Sequence, residues 1–222
     1  MRGKLIVIEG TDCSGKETQS NLLMEKLRKD GIRIQKFSYP NYQSPTGKIV
    51  GGPYLGKEDI CPSYFEEGAS HVDPIVSSLY YAADRKYNIY KITWLLENGV
   101  HVLLDRYVYS NMAHQGGKIK DKEKRNEMYT FLEKLEFGLL DLPKPDIAIL
   151  LHMPLEESLK LRDLRPFGDD NEKDIAHLEN AEKAYTELSS KYQFKVIECA
   201  EPELKSIEEI GEELYTYIQT VL

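Results

Sequence analysis

Apolar residues along this chain gather in two alternating kinds of stretch. Short apolar-rich runs at 5–8, 32–37, 100–104, 147–151 and 194–197 have the length and content of β-strands. Those at 5–8 and 147–151 are apolar at every position, as parallel strands covered on both faces are. Longer stretches predict helices over 16–29, 74–97, 121–137, 154–164, 173–191 and 204–221. The first of these carries Leu22, Leu23 and Leu27 as apolar anchors and stops before Gly31. Strands and helices alternate, which predicts a three-layer α/β/α fold on a five-stranded parallel sheet. The chain has 222 residues, and no Pro/Gly/Ser-rich linker, repeat or low-complexity run divides it, so one domain over 1–222 is expected.

In such sheets ligands bind beyond the carboxyl ends of the strands. Three chemically dense segments map to that one rim: residues 10–18 after the first strand, 39–42 after the second and 105–107 after the third. Residues 10–18 read Gly-Thr-Asp-Cys-Ser-Gly-Lys-Glu-Thr. A strand that runs into Gly-x-x-x-x-Gly-Lys and then a helix is a P-loop. The amides of Gly10, Thr11, Asp12, Cys13, Ser14 and Gly15, with the start of the following helix, attract phosphate oxygens. Lys16 adds a charge that reaches the β- and γ-phosphates of ATP. At the end of the third strand, Arg106 can make two parallel hydrogen bonds to a second phosphate. Asp105 beside it can hold Mg²⁺ directly or through water. Read alone, the same pair equally suits a structural ion pair.

Glu17 stands where P-loops carry the Ser or Thr that binds Mg²⁺. A carboxylate ~5 Å from a phosphate costs on the order of 3 kcal/mol at an effective dielectric of 20. Glu17 is therefore expected to point to solvent or to have a metal between it and the phosphate, and Thr18 to lie on a different helix face.

Net charge is −8, which argues against nucleic acid as a general partner. No apolar stretch approaches the ~20 residues of a membrane-spanning helix, and the N-terminus is too short for a signal peptide, so no membrane partner is expected. Cys13, Cys61 and Cys199 are odd in number and widely spaced, which suits a reducing cytoplasm.

Residues 105–115 read D-R-Y-x-x-S-N-x-A-x-Q, and residues 10–19 read GTD-x-S-G-K-x-TQ. Together they resemble thymidylate kinases closely. Tyr39, Pro40, Asn41 and Tyr42 look like the aromatic-Pro-x-Tyr segment of that family, and Tyr81 with Arg85 is similar to its aromatic-x-x-x-Arg on a long helix. The resemblance implies a P-loop NTPase fold in a single kinase domain over 1–222, with a short mobile lid at about 162–173. It implies transfer of the γ-phosphate of Mg-ATP to dTMP, and a homodimer. Gly10, Thr11, Asp12, Cys13, Ser14, Gly15, Lys16, Glu17 and Thr18 are then the ATP-binding residues. The acceptor falls to Asp12, Tyr39, Pro40, Tyr42, Tyr81, Arg85, Arg106, Ser110, Asn111, His114 and Gln115. Within that set Arg106 and Tyr42 hold the phosphate, Tyr81 stacks on the base, Asn111 pairs with its polar edge and Arg85 lies on its O4 side. Metal binding leans on Asp12, Asp105 and the nucleotide.

Members of the family place a catalytic arginine either in the P-loop, at the position of Cys13, or in the lid. Cys13 leaves Arg162 and Arg165 as candidates, joined to Lys16 and Arg106 as the catalytic set. Asp169 and Glu172 resemble the family's Asp-x-x-Glu, and a charged loop has the same appearance. The loop of Cys199, Ala200, Glu201 and Pro202 stands where the family has its adenine. His114 replaces the Tyr often found beside the sugar, so selection against a 2′-hydroxyl is expected to be relaxed. The stretch 55–73 carries no reading beyond a position from which it could cover the acceptor. Two rivals stay open: a kinase for another pyrimidine nucleotide or for a deoxynucleoside, and a non-catalytic nucleotide-binding module, the latter motivated by Glu17.

Overall fold

The structure, a computed structural model, describes residues 1–222 other than Asp12, 163–170, Glu172, Lys173 and Pro202, and not the side chain of Arg162. Five strands, β1 (Leu5–Gly10), β2 (Ile34–Ser38), β3 (His101–Asp105), β4 (Ile147–His152) and β5 (Lys195–Glu198), form one parallel sheet in the order β2-β3-β1-β4-β5. Ile8 lies opposite Asp105 on one side and Ile149 on the other. The carboxyl ends of the three central strands are therefore level, and the loops that leave them meet.

Among the described residues the α-helices are α1 (Lys16–Lys29), α2 (Pro45–Ile49), α3 (Pro74–Glu97), α4 (Val108–Gly117), α5 (Lys122–Leu132), α6 (Leu155–Arg162), α7 (Ile175–Lys191) and α8 (Ile207–Val221). Side chains of β1 alternate between two cores, because successive residues of a strand point to opposite faces. Leu5 and Val7 pack with Ile92 and Leu96 of α3, Met112 of α4 and Leu188 of α7. Ile6 and Ile8 pack with Leu23 and Leu27 of α1 and with Ile210, Leu214 and Ile218 of α8. The expected three-layer parallel fold is thus present. Helices α1 and α3 have the expected bounds, and α3 opens on Pro74 with Asp73 as its cap, accepting from the nitrogens of Ile75 (2.9 Å) and Val76 (3.1 Å).

Several elements depart from the pattern, among them α2 and a π-helical turn after it, Val50–Tyr54, where no element is predicted. The 121–137 stretch is α5 followed by a wider π-helical turn, Glu133–Leu139. The segment that carries the DRY motif continues as α4, a helix that ends in two glycines and has no cap from Tyr107 before it. The 55–73 stretch is fastened by a core of its own: Val50, Tyr54, Leu55, Ala69 and Val72, with Tyr42, Phe65, Tyr80 and Tyr81 against it. Lys118, just past the end of α4, closes it, donating to the carbonyls of Ala69 (3.0 Å) and Val72 (2.9 Å), and burial brings its ammonium down to about 8.

Candidate active site

The P-loop begins where β1 touches β4. A Cβ at Gly10 would lie 2.6 Å from the carbonyl oxygen of Leu151, so only glycine fits. Cys13 has a left-handed backbone, φ 60°, and so does Gly15, φ 77°, just before α1. These turns leave the carbonyl of Thr11 facing inward, and the ammonium of Lys16 donates to it and to Ser14 Oγ (3.4 Å). Lys16 is 6% exposed and lines a cleft shared with Asp105, Arg106, Glu17 and Thr18. Glu17 and Thr18 are both exposed on α1.

The DRY segment is bound to the P-loop strand from beneath. Glu9, fully buried at the end of β1, accepts from the backbone nitrogens of Tyr107 (2.9 Å) and Ser110 (3.2 Å) and from the hydroxyl of Ser110. It thus caps α4 from another strand. Burial pushes its carboxyl up, opposed by the Ser110 hydroxyl and the charge of Arg106. Tyr185 on α7 shares a hydrogen bond with Ser110 Oγ (2.8 Å). Arg106 has a left-handed backbone, φ 68°. Its Nη1 has long contacts with the Gly10 carbonyl (3.5 Å), the Tyr185 hydroxyl (3.4 Å) and His114 Nε2 (3.4 Å).

A second cavity opens beside this cleft. Tyr39, Pro40, Tyr42, Tyr81, Arg85, Arg106, Ser110, Asn111 and His114 all line it, so the expected acceptor residues converge. Tyr39, Pro40, Tyr42 and Arg106 line both spaces, which places Arg106 at their junction. The Tyr39–Pro40 peptide is cis. Gln115 is the exception: it is fully buried, one turn past Asn111 on α4, and does not line the cavity. Asp12, Arg165, Asp169 and Glu172 lie outside the described residues, as does the side chain of Arg162 at the end of α6.

At the floor of the cavity Arg85 (2% exposed) meets Glu136 (0%) in a bidentate ion pair through Nε and Nη2, the latter at 2.7 Å. Burial draws Arg85 down, yet the charge and hydrogen bonds of Glu136 more than reverse this and hold it above its usual value. Asn111 Nδ2 donates to the same carboxylate (2.9 Å) and to the Ser78 carbonyl (3.1 Å), while its Oδ1 is buried and has no hydrogen-bond partner among the described residues.

A family model described as Thymidylate kinase matches residues 8–210. The chain belongs to the thymidylate kinase family. The human thymidylate kinase is 28% identical over 215 residues, covering 96% of this chain and 88% of that one. The thymidylate kinase of Prochlorococcus marinus is 31% identical over 221 residues, 99% of each. A solved thymidylate kinase from Candida albicans, described as having broad substrate specificity, superposes with a TM-score of 0.76 at 26% identity, covering 99% of this chain and 92% of that one.

Around the residues that motifs pick out stand several that motifs do not. Glu9 is an acid directly after the apolar run 5–8, and that misplaced polarity is the signal the sequence offers for it, whereas Glu136 has no such signal. His177, at the start of α7, contacts His114 ring to ring, with His114 Nδ1 3.1 Å from His177 Nε2. Leu55 and Lys57 bring the 55–73 stretch to the cavity wall, the ammonium of Lys57 standing 5.0 Å from the centre of the Tyr42 ring.

Proposed function

We propose that the two joined cavities carry out the ATP-dependent phosphorylation of dTMP with the following division of work. The P-loop amides and Lys16 hold the β- and γ-phosphates of ATP in the cleft. Arg106, at the junction, holds the 5′-phosphate of dTMP in line with the γ-phosphate, with Tyr42 beside it. Tyr81 lies against the thymine ring. The reading is carried by the polarity of the inner cavity: an unpartnered acceptor, Asn111 Oδ1, beside a donor, Arg85. Thymine offers the complement, an N3–H donor next to the O4 acceptor, whereas cytosine offers the reverse order. A buried polar group left unpaired by the wrong base costs about 1–3 kcal/mol, so the pocket selects.

Phosphoryl transfer needs little covalent help from a protein, and positioning with electrostatic stabilisation does most of the work. Arg162 and Arg165 of the lid supply the further positive charge over the transferring group, and closure keeps water out. Mg²⁺ arrives with ATP. An oxygen-seeking ion of this kind is kept by one or two carboxylates and the nucleotide's own phosphates. That suits a cleft with Asp105 and Glu17 on its walls and no cluster of three or more metal-ligating side chains among the described residues. When bound, the ion neutralises charge on the β- and γ-phosphates.

The chain works as a single domain and as a homodimer. Val76, Leu79, Tyr87, Tyr90 and Trp94 form one exposed apolar stripe at helical spacing along α3, with Tyr90 81% exposed. Among the described residues no helix is long and apolar enough to cross a membrane, and a cytoplasmic setting fits the unpaired cysteines.

The test is ADP release with Mg-ATP against dTMP, dUMP, UMP, dCMP and thymidine, with a no-acceptor blank. Turnover is expected to be led by dTMP and abolished by Lys16→Ala. Turnover led by thymidine would make the chain a nucleoside kinase. ATP binding without transfer to any acceptor would make it a binding module.

A further inference from the structure

The two ends of the Asn111 amide have nearly the same shape, so its outline does not decide which end faces the cavity; its partners do. Both groups that Asn111 Nδ2 contacts, Glu136 Oε1 at 2.9 Å and the Ser78 carbonyl at 3.1 Å, are pure acceptors. Reversing the amide would set its oxygen against two oxygens. Oδ1 is thereby turned away from both and left unpartnered in a side chain that lines the cavity. The same carboxylate takes Nε and Nη2 of Arg85. That fixes the plane of the guanidinium and leaves Nη1 with no acceptor among the described residues. Glu136 itself is fully buried, sits on the π-helical turn Glu133–Leu139 and does not line the cavity.

We infer that Glu136 is a positioning residue that sets the hydrogen-bond polarity of the base pocket: through Asn111 and Arg85 it fixes an acceptor beside a donor, and so selects a 4-oxo pyrimidine over a 4-amino pyrimidine. The inference rests on the reading of this cavity as the acceptor's base pocket. Its chemistry accounts for the need for a carboxylate. Three donors, Arg85 Nε, Arg85 Nη2 and Asn111 Nδ2, converge on two oxygens that only accept. A glutamine has the same shape, but its NH₂ must face at least one of those donors. Either the guanidinium swings away or the Asn111 amide turns over. Both outcomes blur the pattern that the base meets, while the P-loop and Arg106 stay as they are.

The experiment compares kcat/KM for dTMP and dCMP in the wild-type protein, Glu136→Gln and Glu136→Asp, with KM for ATP measured alongside. Wild type is expected to prefer dTMP. Glu136→Gln is expected to lower the dTMP/dCMP ratio at least about tenfold, the worth of one well-made hydrogen bond, mainly through KM for dTMP and with KM for ATP unchanged. Glu136→Asp keeps two acceptor-only oxygens and is expected to retain most of the ratio. A wild-type enzyme with no preference overturns the reading of the cavity and the inference with it. A selective wild type whose Glu136→Gln variant keeps the ratio overturns the inference alone. Should Glu136→Gln fail to fold, hydrogen exchange of the Asn111 side-chain NH₂ in wild-type protein decides. Slow exchange without substrate is expected of an NH₂ held by Glu136 and Ser78. Fast exchange places the NH₂ toward the open cavity and removes the basis of the inference.

Discussion

The carboxylate of Glu9 and the backbone nitrogen of Tyr107 are 2.9 Å apart in the core, although 98 positions separate them in the chain. With its second bond to the nitrogen of Ser110, Glu9 serves as the cap that α4 lacks locally. The strand that feeds the P-loop thereby holds the helix that follows Arg106, so the P-loop and Arg106 share one support. Glu9→Ala leaves two buried N–H groups unpaired and is expected to cost about 2–4 kcal/mol of stability and to raise KM for dTMP. Glu9→Gln keeps one oxygen for the two nitrogens, and the hydroxyls of Ser110 and Tyr185 can turn to accept from its NH₂. It is expected to stay within about 1 kcal/mol of wild type. Urea unfolding of the two variants checks the difference, and equal losses would remove the capping role.

The Arg85–Glu136 pair makes a separate prediction about stability. Breaking a buried pair from one side leaves a charge uncompensated and typically costs about 3–5 kcal/mol, whereas replacing both partners by apolar residues of similar volume is often close to neutral. Glu136→Ala is therefore expected to be far less stable than the double variant Arg85→Met, Glu136→Leu. The double variant is expected to fold yet to lose preference for dTMP. Denaturant midpoints measured on both, with a dTMP binding titration on the double variant, separate folding from recognition.

The same two acids show where sequence reading stops. The parallel sheet was legible because β1 and β4 are apolar at successive positions, so both of their faces must be covered, as helices on either side of a parallel sheet do. The rim was legible because the P-loop, the Tyr-Pro segment and the DRY motif each carry their chemistry in adjacent residues. Helix α4 was not, because its cap comes from Glu9 on another strand and its last turn is Gly116-Gly117, which local propensity disfavours. Glu136 was not, because its partner Arg85 is 51 positions away and no periodicity links them. The π-helical turn that carries it also breaks the 3.6-residue spacing by which its face could be read.

His114 makes a prediction about the sugar. It lines the inner cavity with Tyr81, Arg85 and Asn111, with Arg106 Nη1 3.4 Å from its Nε2 and His177 on its other nitrogen. An imidazole is smaller than a phenol ring and can hydrogen-bond a 2′-hydroxyl. His114→Tyr is expected to raise the ratio of kcat/KM for dTMP over UMP by roughly tenfold, the order that added bulk in a pocket supplies. An unchanged ratio in the variant would remove His114 from sugar selection.

His152 predicts how stability responds to pH at the joint between β4 and α6. It ends β4, with Nε2 3.2 Å from Glu182 on α7 and Nδ1 2.6 Å from Glu198 on β5. The other oxygen of Glu182 accepts from the nitrogen of Leu155, the first residue of α6 (3.2 Å). The hydrogen bond to Glu182, followed by the bond and charge of Glu198, raises His152 to about 9 against the pull of burial. A folded value above the unfolded value of about 6.5 means that the folded protein holds the proton more tightly. The stabilisation is therefore complete below about pH 6.5 and is lost as pH rises through about 9, with an upper size of about 3 kcal/mol. Lys118 shifts the other way, but it is present in both proteins when wild type is compared with His152→Gln and cancels in the difference. The wild-type advantage in urea unfolding is expected to be largest near pH 6 and to vanish by about pH 10. An advantage that stays constant across that range would mean that His152 is neutral and that the two glutamates do not hold its proton.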